Sequence, residues 1–418
     1  MFPMVLSVRQ RFPPSRPVDI EAALARQWSF PIAPGAHIAL AVGSRGISRI
    51  EEVVRAVIDR VRAAGGQPFI VPAMGSHGGA TAEGQASLLA EYGITEQALG
   101  APIRASMDVL EVGTTDDGVP VHLGAEAARA DGIIVISRIK PHTRFRGPVE
   151  SGVVKMIAVG LGKREGAAAF HSAAERLGFP RVVETVLRAK LRAAKFLGGV
   201  ALLEDQRHAL TRVEVLRADE LMEREPALLQ EAWSYMPRLP FSEIDLLIVD
   251  SIGKNISGVG MDPNVIGRGS AGPDEPQPPG LPTVHRLFVR ELTAETHGNA
   301  IGVGLADFTT ARLVRAMDRD ATYMNALTSL AFRAAKIPIY FESDREVLTR
   351  ALATLPVRAP SQVRLVRIAD TLSLGTMQVS PACLPTAGGQ SLPSLEITGE
   401  AHEVVFDADA NLTPLTLR

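Results

Sequence analysis

The strongest constraint on this chain is an alternation. Short apolar runs that end in glycine or a basic cluster are followed repeatedly by segments with helical spacing. Residues 37–42 form an apolar run closed by Gly43, which predicts a buried strand. Residues 49–64 place Ile50, Val53, Val54, Val57, Ile58 and Val61 at helical spacing with charges between them, and Gly65 and Gly66 end that helix. Residues 68–71 predict the next strand and 81–92 the next helix. Residues 107–112 and 119–123 read as a strand pair around the turn Asp116-Asp117-Gly118, and 132–139 as another buried strand. Such alternation predicts an α/β fold with mostly parallel sheets.

The character changes after Lys163. Residues 163–177 and 181–195 are alanine-rich and amphipathic, 196–203 and 211–216 read as strands, and 218–235 as a long helix. A new buried strand starts at Ile244 and the alternation resumes to about residue 355. Residues 269–282, rich in proline, read as a surface loop, and 363–412 as short strands joined by turns. At roughly 100–200 residues per domain, a chain of 418 residues holds two or three. The break at Pro237, Pro240 and Phe241 predicts two α/β domains, 1–240 and 241–418.

Composition narrows the class of function. With 44 basic and 46 acidic residues the formal charge is −2, unlike the basic excess of a general nucleic-acid or membrane-surface binder. No apolar run approaches the roughly 18 residues of a membrane span. The first residues carry Arg9, Arg11 and several prolines where a signal peptide needs an apolar core, so a cytoplasmic location is expected. The single cysteine, Cys383, makes no internal disulfide and no cysteine-based zinc or iron–sulfur site.

Ligands of open α/β sheets bind at the loops beyond the carboxyl ends of the strands. Four such loops carry cationic or imidazole side chains: Gly43-Ser44-Arg45-Gly46, the stretch from Gly75 to Gln85 with Ser76-His77-Gly78, the stretch from Lys140 to Gly147 with His142, Arg144 and Arg146, and Gly253-Lys254-Asn255. Standard phosphate-binding patterns fail: Gly160-Leu161-Gly162-Lys163 lacks the earlier glycine and the Ser/Thr of a P-loop. His77 lies among glycines, before a Thr81 and Glu83 that could start a helix. Lys155 is flanked by apolar residues, and a lysine whose amine is neutralised by burial is a nucleophile suited to covalent attachment of a cofactor. A lysine snorkelling from the end of an apolar helix remains the alternative. His171 follows on the alanine-rich helix.

Together these segments resemble the nickel-pincer-nucleotide-dependent lactate racemase family, the LarA-like 2-hydroxyacid racemases and epimerases. The stretches that carry the resemblance are PAMGSHGGATAEGQ (residues 72–85), IKPHTRFRGPVESGVVKMIAVGLGKREGAAAFH (139–171), and the Arg45 and Lys254 loops. The resemblance implies an interdomain active-site cleft. The N-terminal domain would carry the catalytic histidines and the cofactor lysine, and the C-terminal domain would close the cleft. His77 and His142 would be the catalytic histidines, Lys155 the lysine that holds the cofactor in a thioamide linkage, and His171 the nickel ligand. Lys155 and His171 are 16 residues apart, in keeping with the family's pattern. Ser76, Gly78 and Gly152 would face the cofactor, and Arg45, Lys254, Arg144 and Arg146 the substrate carboxylate. Because the sulfurs and a carbon of the cofactor hold the nickel, the protein need supply only one imidazole, which a chain with one cysteine can do.

The implied partners are a small-molecule carboxylate and, transiently, the enzymes that make the cofactor. No nucleic acid or membrane partner is implied. From His142 to Lys155 the spacing is 13 residues, longer than in lactate racemase itself, and the extra stretch holds Arg144, Arg146 and Glu150. That points to a substrate larger or more polar than lactate, a sugar acid or a dicarboxylic 2-hydroxy acid. Two other readings stand beside this one: a zinc-dependent dehydratase or hydrolase built on His77, His142 and His171, and a non-catalytic cofactor-binding protein.

Overall fold

A computed structural model of the chain describes residues 2–44, 46–269, 280–357, 359–384, 392 and 394–415. The chain divides into two compact units: Pro14–Met236, and Met1–Pro13 together with Pro237–Arg418. The boundary expected at residue 240 thus lies a few residues earlier. The first thirteen residues, expected in the N-terminal domain, belong to the other unit. The reason is strand pairing: Leu6–Gln10 lies between Thr376–Val379 and Leu395–Ile397, antiparallel to both.

Unit Pro14–Met236 is built on a five-stranded sheet in the order Gln67–Pro72, His37–Val42, Gly132–Arg138, Phe196–Glu204, Leu210–Arg217. The first four strands run parallel and the last closes antiparallel. Both faces are covered, so the strands are almost continuously apolar and their side chains divide by alternation. Ala39, Ala41, Val71, Ile133 and Val135 face one core, and Ile38, Leu40, Val42, Ile70, Ile134 and Ile136 face the other. The order reverses at His37–Val42: the next strand in sequence pairs on one side of it and Gly132–Arg138 pairs on the other. This is a topological switch point, where open α/β sheets bind ligands. The expected pair around Asp116 is present, as the separate hairpin Val109–Thr114 and Pro120–Gly124.

The second unit holds an eight-stranded sheet in the order Ile339–Phe341, Phe308–Thr310, Thr283–Leu292, Glu243–Ile252, Leu365–Ile368, Thr376–Val379, Leu6–Gln10, Leu395–Ile397. Its first five strands are parallel and the remaining pairings antiparallel. The expected mostly parallel α/β architecture is therefore present, with an antiparallel margin on each sheet. The proline-rich loop read at 269–282 falls largely on residues 270–279, outside the described residues. Buried charges on this sheet are paired. Asp250 accepts from Arg367 Nε and Nη2, each at 2.8 Å, and meets Arg290 Nη1 at 3.0 Å. Arg290 Nε donates to Asp344 at 2.7 Å. The same arginines donate to the carbonyls of Leu412 and Thr413, each at 2.8 Å, which fixes the end of the chain over the sheet.

Candidate active site

Both histidine loops and the Ser44 loop leave the carboxyl ends of neighbouring parallel strands. After Gln67–Pro72 the chain turns at Gly75 (φ 57°) and reaches His77, then a single 3₁₀ turn, Gly78–Ala80, and the helix Ala82–Glu91. Thr81 caps that helix, its hydroxyl accepting from Gly84 N–H at 3.0 Å. Glycine is required at 84 because a Cβ there would lie 2.0 Å from the Gly78 carbonyl oxygen. His77 Nδ1 is hydrogen-bonded to the hydroxyl of Ser44, and Tyr92 OH donates to the Ser44 carbonyl at 3.0 Å. The half-buried His77 ring is therefore oriented by the neighbouring strand's loop, leaving Nε2 as the nitrogen that faces away from that bond.

The His142 loop is closed at its base by two bonds between Lys140 and Ser151, at 2.9 and 3.2 Å. Inside it, His142 Nδ1 accepts from the N–H groups of Arg144 and Phe145, each at 3.0 Å. A nitrogen that accepts two bonds carries no proton, so the neutral ring bears its hydrogen on Nε2. Burial holds His142 well below the usual imidazole range, and the positive charges of Lys155, Arg146 and Arg144 add to this. The buried Glu150 carboxylate accepts from His142 N–H at 2.6 Å, and burial pushes its own titration up.

Lys155 rises from a short helix, Val153–Ala158, whose two ends are held by buried titratable groups. Glu225 accepts from Val154 N–H at 3.0 Å at the start, and Lys190 Nζ donates to Ile157 and Ala158 carbonyls at 2.9 and 3.0 Å at the finish. Burial pushes the Glu225 carboxyl up to about 8 and the Lys190 amine down to about 7. Gly152 leaves room for this, since a Cβ there would sit 2.3 Å from Glu225 Oε1. Lys155 Nζ lies 5.7 and 5.8 Å from the ring centroids of Phe145 and Phe179, which stack on each other at 4.3 Å. Phe145 also stacks on His142 at 4.8 Å and lies 6.3 Å from the ring of His171. His171 projects from the helix Lys163–Leu177, and burial, aided by Lys155 and Arg144, lowers its pKa to about 4. Its imidazole is neutral at physiological pH, the form that ligates a metal.

The structure thus gathers His142, Lys155 and His171 around the Phe145–Phe179 stack, and sets His77 against the Ser44 loop. Ser76, Gly78 and Gly152 lie in these same segments. Arg144 pairs with Glu175 at 2.7 Å. Arg146 donates to the carbonyls of His142 and Phe145 at 2.5 and 3.0 Å and lies 3.6 Å from Glu150. Its guanidinium, expected on substrate, shapes the loop here. Lys254, in the second unit, donates to the Gly258 carbonyl and Asn325 Oδ1, each at 2.9 Å. Arg45 lies outside the described residues.

Ser44, Phe145, Phe179, Glu225 and Lys190 were not singled out by the sequence. Glu225 and Lys190 left a signal: each sits on the apolar stripe of its helix, with Leu221, Leu228 and Leu229 around one and Val183, Val186 and Leu187 around the other. Among the described residues no three His, Cys, Asp or Glu side chains form a metal-holding group, so the protein-only zinc shell of the alternative reading has no ligand set there.

Fold and site together define a two-unit α/β protein with His77 and His142 on strand-end loops of the N-terminal sheet, and Lys155 and His171 on helices that follow in sequence. Residues 36–177, which contain all of these loops, match the family described as the lactate racemase N-terminal domain. That part of the chain is similar to the lactate racemase N-terminal domain. The fold is similar to that of the lactate racemase apoprotein from Thermoanaerobacterium thermosaccharolyticum, at a TM-score of 0.53 and 16% identity, covering 88% of this chain and 99% of that one. No curated protein matches the sequence.

Proposed function

We propose that this protein is a racemase or epimerase of a 2-hydroxy acid that works with a nickel-pincer nucleotide. The observation that carries the reading is the cluster of Lys155, neutral His171 and neutral His142 around two stacked phenylalanine rings. The donor set fits the group: an amine for covalent attachment, one neutral imidazole for the metal, flat rings beside a planar cofactor, and no thiolate. When bound, the cofactor supplies the acceptor and donor of the substrate's α-hydrogen as hydride. Lys155 would hold it and His171 would ligate its nickel. Held in a thioamide, Lys155 would no longer carry the ammonium charge that helps press His142 and His171 toward low pKa.

The chain's own residues handle the hydroxyl proton. The two enantiomers present their hydroxyls on opposite sides, which calls for a group on each, and His77 and His142 fill those places. His142 presents Nε2–H, so as found it donates to a substrate oxygen. It serves as a base only after its Nδ1 releases the backbone donors and takes the proton. Arg45 and Arg144 would anchor the carboxylate. A cytoplasmic location, and cofactor-synthesis enzymes as transient partners, go with this reading. The longer His142 loop supports a sugar acid or dicarboxylic 2-hydroxy acid over lactate.

The test is protein made together with the cofactor-synthesis enzymes. Intact mass should show an adduct that is absent from Lys155→Ala, and a panel of 2-hydroxy acids should be racemised with lactate a poor substrate. An adduct that survives in Lys155→Ala removes that lysine from its role, and a clear preference for lactate removes the substrate assignment.

A further inference from the structure

Behind His77, on its buried side, lies a pair of polar side chains that the proton chemistry does not use. Lys163 is 4% exposed and Gln85 is fully buried. Lys163 Nζ donates to the Pro72 carbonyl at 2.7 Å and to Gln85 Oε1 at 3.1 Å. An ammonium only donates, so it fixes the Gln85 amide with its oxygen toward the lysine and its nitrogen toward the loop. Gln85 Nε2 then donates to the carbonyls of Gly75 and His77, at 3.0 and 3.3 Å. A third tie, Gly75 N–H to the Gly160 carbonyl at 3.0 Å, joins the same loop to the segment just before Lys163.

Two features show that this arrangement is maintained against cost. Lys163 has φ 54° and ψ −153°, a backbone region that disfavours any residue with a Cβ. Its stem also passes over bare backbone at Gly124, where a Cβ would lie 3.2 Å from Lys163 Cε. Burial lowers the amine's pKa to about 8, and no acidic partner offsets this. A strained, buried lysine that spends its bonds on one strand end and one amide is placed for what it holds.

We infer that Lys163 and Gln85 form a positioning latch that sets the height and tilt of His77 from beneath, so that its ring meets both the Ser44 hydroxyl and the substrate oxygen. The inference rests on the reading of His77 as a proton-handling group. Lys163 and Gln85 are positioning residues: neither touches the reacting atoms.

The test uses the full chain. Gln85→Glu keeps the acceptor for Lys163 and removes both N–H donors to the loop. Lys163→Met removes the anchor, and Lys163→Arg restores a donor. In cofactor-free protein labelled with ¹⁵N-histidine, the His77 ring signals, assigned with His77→Gln, should move in Gln85→Glu and Lys163→Met. Those of His142 should stay in place, and Lys163→Arg should return the His77 signals toward wild type. In loaded enzyme the first two variants should lose kcat by on the order of 10–100-fold with KM within about twofold. His77 signals that coincide with wild type in folded Gln85→Glu overturn the latch, and that variant decides the matter if Lys163→Met does not fold. A loaded wild type that turns over no 2-hydroxy acid sinks the racemase reading instead, and the ring signals still judge the latch.

Discussion

Four buried charges of the C-terminal unit, Asp250, Arg290, Arg367 and Asp344, meet their opposites. Three of the N-terminal unit, Lys163, Lys190 and Glu225, meet backbone groups or an amide. Asp250, Arg290, Arg367 and Asp344 compensate one another across the larger sheet, and the guanidinium of Arg290 is held above its ordinary range by those carboxylates, against the opposing effect of burial. Lys163, Lys190 and Glu225 in the N-terminal unit bond to backbone groups and to Gln85. Burial then acts without an opposing charge, and all three move toward neutrality. The difference separates two uses of a polar interior. Paired charges staple chain segments together. Lone, weakly basic or weakly acidic groups hold the backbone of the segments that carry His77 and Lys155.

The contrast predicts a ranking. Asp250→Asn leaves two buried guanidinium groups short of their shared carboxylate, and should cost the C-terminal unit about 3–5 kcal/mol. Hydrogen exchange followed separately in each unit checks this. A cost no larger than that of the next variant would erase the distinction. Lys190→Met leaves no opposite charge behind and loses two bonds to helix-end carbonyls, so about 1–3 kcal/mol is expected. Its sign with pH is defined: a base whose pKa falls from 10.5 to about 7 on folding contributes fully above the unfolded value and loses that contribution as pH falls through the folded one. Wild type should therefore lose stability between pH 10.5 and about 7 in a way that Lys190→Met does not.

The smallest effect is expected at Glu225. Here an acid rises from 4.5 to about 8, so its contribution is complete below pH 4.5 and is lost as pH climbs through 8. Glu225→Gln keeps an acceptor for Val154 N–H and carries no proton to lose. Urea unfolding should find it close to wild type at pH 5 and more stable by on the order of 1 kcal/mol at pH 8. A pH dependence equal to that of wild type would mean that the carboxyl is not buried alone.

Much of the fold was legible because parallel strands covered on both faces must be apolar throughout, and those runs stand out between amphipathic helices. The histidine loops were legible for a related reason: glycine-rich stretches after such strands carry few side chains, so His77 and His142 are conspicuous. Leu6–Gln10 was assigned to the wrong unit because its partners lie hundreds of residues away, and five residues carry no local sign of them. Gln85 occupies the apolar stripe of its helix with Leu89, as Glu225 and Lys190 occupy theirs, so a polar residue at a core position was visible. What it touches was not, since that depends on which backbone carbonyls the tertiary fold turns inward. The contacts made by the arginines of the His142 loop were hidden for the same reason. Their charge was plain, but the carbonyls and carboxylates that engage Arg146 appear only when the loop closes on itself.

The pairing of Leu6–Gln10 with strands near the other end of the chain has a temporal consequence. A ribosome delivers residues in order, and domains fold as units as they emerge. The segment Pro14–Met236 is continuous, so its sheet, both histidine loops and the Lys155 helix can assemble while the remainder is still being made. The first thirteen residues must wait, tethered to a finished neighbour, until strands some 370 residues downstream exist to receive them. The N-terminal unit matures early, and the larger sheet is sealed last by Leu6–Gln10.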